Sequence, residues 1–352
     1  MIIDDNPVLV TPSREPWDGA ELVDSLGRVA RTLRVSLTDR CTLRCRYCLP
    51  ADGVPWMPTE EMLTDDEVVR LVRLAVERLG VRRVRLTGGE PLLRRGLVGI
   101  VARIAELRTA LGTPPRIALT TNGVSLARWA DDLAAAGVGR VNVSLDTLDP
   151  ELYAAMTRRD RLADVLAGLA AARRAGLTPI KVNAVLLRGV NDHEAVPLVR
   201  WAVREGYRLR FIEQMPLGPA QEWDRSRLVT AAEILERLRA ELDLVPLPAA
   251  QRGSAPAEMW QVAGTDAEVG VIGAVTRPFC AACDRVRLTA DGHVRTCLFA
   301  ATETDLRSLL RAGAGDEELA RAWRTAMLTK PAAGIRTGLV AAPDRLMSEI
   351  GG

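Results

Sequence analysis

The sequence predicts an α/β fold, six βα units followed by an α+β extension, and three observations carry that expectation. Six β-rich segments alternate with apolar patterns of helical spacing from residue 33 to about residue 216. The units average roughly 30 residues, the size of the right-handed crossover that joins parallel strands. Beyond about Leu217 the alternation stops, and short β-like runs around an Asp291-Gly292 hairpin signal replace it. At 352 residues the chain can hold a barrel-sized domain plus an appendage.

In chain order, residues 1–28 carry Pro7, Pro12 and Pro16 among scattered charges without a sustained period, and read as an arm over the surface. Residues 29–216 form the main domain, with strands expected at 33–37, 84–87, 116–121, 140–145, 180–187 and 208–215. The first helix announces itself by the capping box Thr64-Asp65-Asp66-Glu67, the stripe Val68, Leu71, Val72, Ala75, Val76 and Leu79, and a stop at Gly80. Similar patterns follow Leu97, Leu126, Leu162 and Glu194, and Gly137 and Gly176 stand where the third and fourth helices end. Such a pattern is common to closed barrels and open sheets. Residues 217–352 form the C-terminal domain, irregular around Pro246, Pro248, Gly253 and Pro256, and helical near 306–310 and 317–327.

Charge nearly cancels, with 47 Lys plus Arg against 45 Asp plus Glu, so no long-range field recruits nucleic acid or an acidic membrane. With only His193 and His293 present, imidazole acid–base chemistry or a His-rich metal site is hard to build. The start of the chain lacks a basic region and an apolar signal core, and no run approaches the ~20 apolar residues of a membrane span. A cytoplasmic protein is expected. Six cysteines grouped as two trios suit a reducing compartment and metal better than a disulfide framework.

The first trio, Cys41-x3-Cys45-x2-Cys48, can converge on one metal centre, and three thiolates suggest a cubane cluster with one iron open to another ligand. Three buried thiols, a structural zinc with a distant fourth ligand, or a disulfide are the competing readings of this spacing. The second trio is Cys280-x2-Cys283-x13-Cys297, and with His293 it could instead form a three-thiolate, one-imidazole zinc site. Against zinc, Cys283, Arg285 and Arg287 share strand parity, and a three-residue loop at 290–292 pairs Arg285 with Cys297. Two guanidiniums beside a metal make a pocket for an anion, which a purely structural zinc has no use for. Polar motifs also gather where strands end: Thr87-Gly88-Gly89-Glu90-Pro91, Thr120-Thr121-Asn122-Gly123 and Ser144-Leu145-Asp146.

The first trio, with Tyr47 before its last cysteine, resembles the signature of the radical S-adenosylmethionine (SAM) superfamily. That resemblance implies a partial, six-unit (β/α) barrel, a [4Fe-4S] cluster on Cys41, Cys45 and Cys48, and SAM bound near Tyr47, Gly88, Gly89, Ser144 and Met215. The two trios together, the stretch from Leu33 to Arg40, the surroundings of the second trio and the terminal Gly351-Gly352 are similar to the GTP 3',8-cyclase family of molybdenum cofactor biosynthesis. Departures are Thr42 where Asn is usual, Leu49 where Met is usual, and a poorly matched segment at 313–345.

This closer resemblance implies a second [4Fe-4S] cluster on Cys280, Cys283 and Cys297, making residues 217–352 a cluster-binding extension. It implies GTP contacts from Arg34, Arg85, Thr120, Lys181, Arg285 and Arg287, and catalytic roles for Arg34, Arg285, Arg287, Gly351 and Gly352. No Gly-x4-Gly-Lys-[Ser/Thr] loop is present to cradle a triphosphate, so basic side chains from strand ends would have to. The implied partners are GTP, a reducing electron donor and cyclic pyranopterin monophosphate synthase as recipient of the product, with the chain a monomer or homodimer.

Overall fold

The computed structural model describes residues 20–219, 222–334 and 345–351. Six parallel strands appear where they were expected: β1 (Thr32–Ser36), β2 (Arg83–Thr87), β3 (Arg116–Thr121), β4 (Val138–Ser144), β5 (Lys181–Val185) and β6 (Arg208–Ile212). The last two end earlier than predicted, so the polar residues Glu213 and Gln214 lie in the loop beyond β6 rather than on the strand.

Helices α1 (Asp65–Glu77), α2 (Leu97–Ala105) and α3 (Leu126–Ala136) cover the sheet, as do α5 (Leu162–Arg174) and α6 (Ala195–Glu205). The capping box of α1 is made as read, with Thr64 N donating to Glu67 at 2.7 Å and Glu67 N to Thr64 at 3.2 Å. Its inward stripe of Val68, Leu71, Val72, Ala75 and Val76 is fully buried, and each branched side chain there contributes about 2 kcal/mol of transfer free energy. Gly137 caps α3 at φ +112, a backbone state that a Cβ disfavours. The sequence reading passed over α4 (Pro150–Thr157), although its signal was present: Asp149 accepts the Leu152 N–H at 2.8 Å ahead of Pro150.

Within the C-terminal region lie β7 (Leu244–Pro246), β8 (Glu258–Val262), β9 (Glu268–Ile272), β10 (Arg285–Leu288), β11 (His293–Arg295) and β12 (Thr304–Asp305). Its helices are α7 (Ala231–Arg239), α8 (Ala249–Arg252), α9 (Leu306–Arg311), α10 (Asp316–Met327) and α11 (Met347–Ile350). These strands join the same sheet at both edges, giving 12 strands in the order β12-β11-β10-β1-β2-β3-β4-β5-β6-β9-β8-β7. The sheet is not closed. Both β10 and β9 run parallel to the strands they join, β1 and β6. The hairpin follows the predicted three-residue loop, with Arg287 opposite Arg295 and Thr289 N donating to His293 O at 2.9 Å.

The arm departs from a surface role before residue 28: Leu22 is fully buried, and its N–H bonds Leu79 O at 3.2 Å. Residues 1–19 lie outside the described ones. Among the described residues no helix is long and apolar enough to cross a membrane.

Candidate active site

Strand parity and register build a basic wall. Arg287, Arg34 and Arg85 stand in register on the adjacent strands β10, β1 and β2, and the row continues through Ala118 to Arg140. Neighbouring strands are about 4.8 Å apart, so these guanidiniums repel one another in a buried setting. Burial, then Arg287 and Arg85, hold the Arg34 guanidinium well below its ordinary value. Burial, with Arg210 and Arg140 next, pushes Arg85 down to about 9. Lys181 falls to about 7 through burial and the charges of Arg210 and Arg140. The Nε atoms of Arg34 and Arg85 are buried without a hydrogen-bond partner among the described residues. Orphaned donors and unbalanced charge together call for an anion.

The basic side chains of this wall line a cavity of about 570 Å³, which also receives Thr120, Met215, Cys280, Cys283 and Cys297. The acids on its wall are already engaged. Glu213 accepts from Ala231 N at 2.6 Å, Val275 N at 2.7 Å and Thr276 N at 2.8 Å, and Asp284 pairs with Arg83. Arg285 bonds Ser254 O and lies 5.1 Å from the Phe279 ring, with its Nη1 3.8 Å from Cys283 Sγ. Burial raises the Cys283 thiol, but Lys330 and Arg285 outweigh it, and the net shift is downward.

A second cavity of about 160 Å³ holds the first trio, Cys41, Cys45 and Cys48, against Gly88 and Gly89. Tyr47, Thr120, Ser144, Asp146 and Met347 line both cavities, so the two sites are neighbours. A Cβ on Gly88 or Gly89 would collide with the backbone oxygens of Thr38 or of Asp39 and Arg40. Only glycine lets the two loops approach this closely, and Gly89 N bonds Thr38 O at 2.7 Å. Burial pushes the Cys48 thiol up to about 12, a shift that a metal, which binds the thiolate, would oppose. Tyr47 donates to Asp146 at 2.7 Å, and burial raises that carboxyl to about 6 against hydrogen bonds from Val185 N and Tyr47.

The chain's end reaches this wall. Gly351, at φ +73, is buried with its carbonyl accepting from Arg287 Nη1, and a Cβ there would strike Ser36 and Thr87. Gly352 lies outside the described residues. Arg345 anchors the approach, pairing with Asp291 at 2.8 Å and Glu303 at 2.7 Å. Burial raises the Asp291 carboxyl, but bonds from His293, Arg345 and Thr289 outweigh it and hold it well below the usual carboxylate range. The stability this gives is complete above the unfolded value near ~3.9 and drains away as pH falls further. Arg345→Gln is expected to lose about 2 kcal/mol at pH 7 and to show a shallower acid-side decline, read from denaturation midpoints between pH 7 and 3.

All the predicted site residues that the structure describes therefore gather at these two cavities or at the tail bound to Arg287. Sequence reading did not single out Arg140 or Arg210. Arg210 donates to Asn183 Oδ1 at 2.7 and 2.9 Å and reaches Asn142 Oδ1 at 3.3 Å. The parity they share with Asn142 and Lys181 on short parallel strands was the available signal. His293, the candidate zinc ligand, is instead 3.1 Å from Asp291. Among the described residues no three His, Cys, Asp or Glu side chains converge on a single-ion site. A cubane does not call for that convergence, because its thiolates bind different irons.

Comparison with known proteins agrees with this geometry. Residues 35–202 match the Radical SAM superfamily, and residues 207–334 match Molybdenum Cofactor Synthesis C. The chain is 59% identical to a GTP 3',8-cyclase of Streptomyces coelicolor, covering 94% of this chain and 96% of that one. It is 54% identical to a GTP 3',8-cyclase of Corynebacterium glutamicum, covering 96% and 91%. Among solved structures, Streptococcus suis SuiB has a TM-score of 0.57 at 14% identity, over 84% of this chain and 66% of that one, a likeness of fold alone. Two cysteine trios around an arginine-walled cavity, with relatives that match almost end to end, show that the chain belongs to the GTP 3',8-cyclase family of radical SAM enzymes.

Proposed function

We propose that the chain converts GTP to 3',8-cyclo-7,8-dihydro-GTP in the first step of molybdenum cofactor biosynthesis. The observation that carries this reading is the in-register row Arg287, Arg34 and Arg85, unbalanced by acid and lining the cavity of the second thiol trio, next to the cavity of the first. A triphosphate supplies the missing charge, and Lys181 and Thr120 extend its wall. Cys41, Cys45 and Cys48 fit a [4Fe-4S] cluster, being three soft donors beside a glycine loop that admits no side chain. Tyr47, Gly88, Gly89, Ser144 and Met215 are the candidates to hold SAM there. When bound there, cluster and SAM would supply the radical chemistry for hydrogen abstraction from the ribose of GTP.

The chain's own part is positional. Its arginines fix the triphosphate, the cavity walls limit water, and Gly351 brings backbone into contact with Arg287. Cys280, Cys283 and Cys297 fit a second cluster on the guanine side, supported by the engagement of His293 elsewhere. We read residues 1–28 as an arm, 29–216 as the radical SAM unit and 217–352 as the cluster-binding extension. The six free thiols support a cytoplasmic setting, where an electron donor would serve the first trio and a cyclic pyranopterin monophosphate synthase would take the product.

Anaerobic protein given GTP, SAM and dithionite should yield the cyclised nucleotide with about eight irons per chain. If SAM is cleaved while GTP returns unchanged, the substrate assignment fails and a peptide-modifying maturase becomes the better reading. Zinc at the second trio with about four irons would remove the second cluster. Gly351→Ala tests the tail: its Cβ meets Ser36 and Thr87, so cyclisation should fall about 10²-fold while iron content and SAM binding hold. An unchanged rate would make the contact incidental.

A further inference from the structure

We infer that the second thiol trio is electrostatically biased toward the reduced state relative to the first, and that buried Lys330 sets much of that bias. The inference rests on the reading that Cys280, Cys283 and Cys297 hold an iron–sulfur cluster. Lys330 is only 4% exposed, just beyond α10, and its Nζ donates to Cys283 O at 3.2 Å and Arg285 O at 2.6 Å. Both partners among the described residues are carbonyls, so they leave its charge uncancelled. Asp24, the acid that acts on it, is itself tied to Arg28 at 2.6 Å. Arg28 adds a second cation beside the same loop, donating to Cys280 O at 2.8 Å.

Every sulfur of this trio also accepts an N–H. Gly334 N lies 3.3 Å from Cys280 Sγ, Arg285 Nη1 3.8 Å from Cys283 Sγ, and Phe299 N 3.5 Å from Cys297 Sγ. The first trio has mixed surroundings. Asn122 Nδ2 reaches Cys41 Sγ at 3.7 Å, and Arg44 acts on the same thiol. Against them, the carboxyl of Asp146 lines the same cavity as Cys45 and Cys48, and that of Glu90 accepts at 2.7 Å from the backbone of Asn122, the residue that reaches Cys41. Reduction by one electron adds a unit of negative charge to a cluster. Buried cations and N–H donors to sulfur favour that step, and nearby carboxylates oppose it.

Lys330 is thus a positioning residue, acting through the Cys283 and Arg285 backbone, and its readout is a potential rather than a rate. The experiment is potentiometry followed by electron paramagnetic resonance on the anaerobically reconstituted full chain, with dithionite as reductant. Added SAM identifies the first signal and added GTP the second. The second cluster should be reduced at the less negative potential. Lys330→Met should shift only that couple to more negative values, and Lys330→Arg, whose charge is fixed, should restore most of the shift. Coincident couples, a reversed order in the wild type, or a Lys330→Met shift in both couples or neither would overturn the inference. If Lys330→Met fails to assemble, the wild-type order still decides. Iron near four per chain would remove the second cluster and this inference with it, whereas about eight with the wrong order overturns the inference alone.

Discussion

Cys283→Ala is expected to leave SAM cleavage running while cyclisation of GTP falls by about 10²-fold or more, and Cys45→Ala is expected to abolish both. The two thiols face different cavities, Cys45 beside the Gly88-Gly89 loop and Cys283 beside Arg285 and Arg287. On the proposed reading, removing a ligand from the first trio takes away the site at which SAM is opened. On the same reading Cys283 helps hold the cluster that seats the substrate's base, so its loss lets the base drift, and a displacement of about 1 Å is enough to cost two decades of rate. Separate quantification of 5'-deoxyadenosine and cyclised nucleotide in one anaerobic assay reads both effects. Cyclisation at the wild-type rate by Cys283→Ala would make the second trio a structural element only.

Arg34→Gln is expected to make the nucleotide-free protein more stable and its binding of GTP weaker. In the folded chain Arg34 is half-buried and flanked in register by Arg287 and Arg85, with its Nε buried and unpartnered among the described residues. Removing one charge from such a row relieves repulsion worth about 1 kcal/mol or more, a rise of roughly 1 °C or more in Tm for a chain of this size. Bound triphosphate reverses the balance. A charge-assisted bond contributes about 1.5–3 kcal/mol, so affinity should fall about 10- to 100-fold. Differential scanning with and without GTP checks both signs, since ligand at 100 Kd adds about 2.7 kcal/mol to the wild type and far less to the variant. A variant that is both less stable and unaltered in GTP binding would show that Arg34 is a structural residue.

Much of this molecule was legible in the chain because its signals are local. The Thr64 capping box, the buried stripe of α1, Gly137 at its positive φ and the three-residue loop before His293 each depend on a few neighbouring residues. Hydrophobic period and strand parity placed the six parallel strands, and cysteine spacing separated two metal candidates. The miss at α4 was of the same local kind, since Asp149-Pro150 is a readable start.

What the sequence by itself determined is the set of strands, the parity of each side chain and the two thiol groups. What only the tertiary structure decided is who stands beside whom. Nothing local states that β10 joins the β1 edge while β9 joins β6, because that choice depends on closing long loops and on how the whole sheet twists. Yet it is this pairing that sets Arg287 beside Arg34 and brings Cys283 to the cavity, and it lets the Gly351 carbonyl meet a guanidinium. Parity is fixed by a period of two residues along one strand, whereas the site is made by neighbours roughly 250 residues apart in the chain.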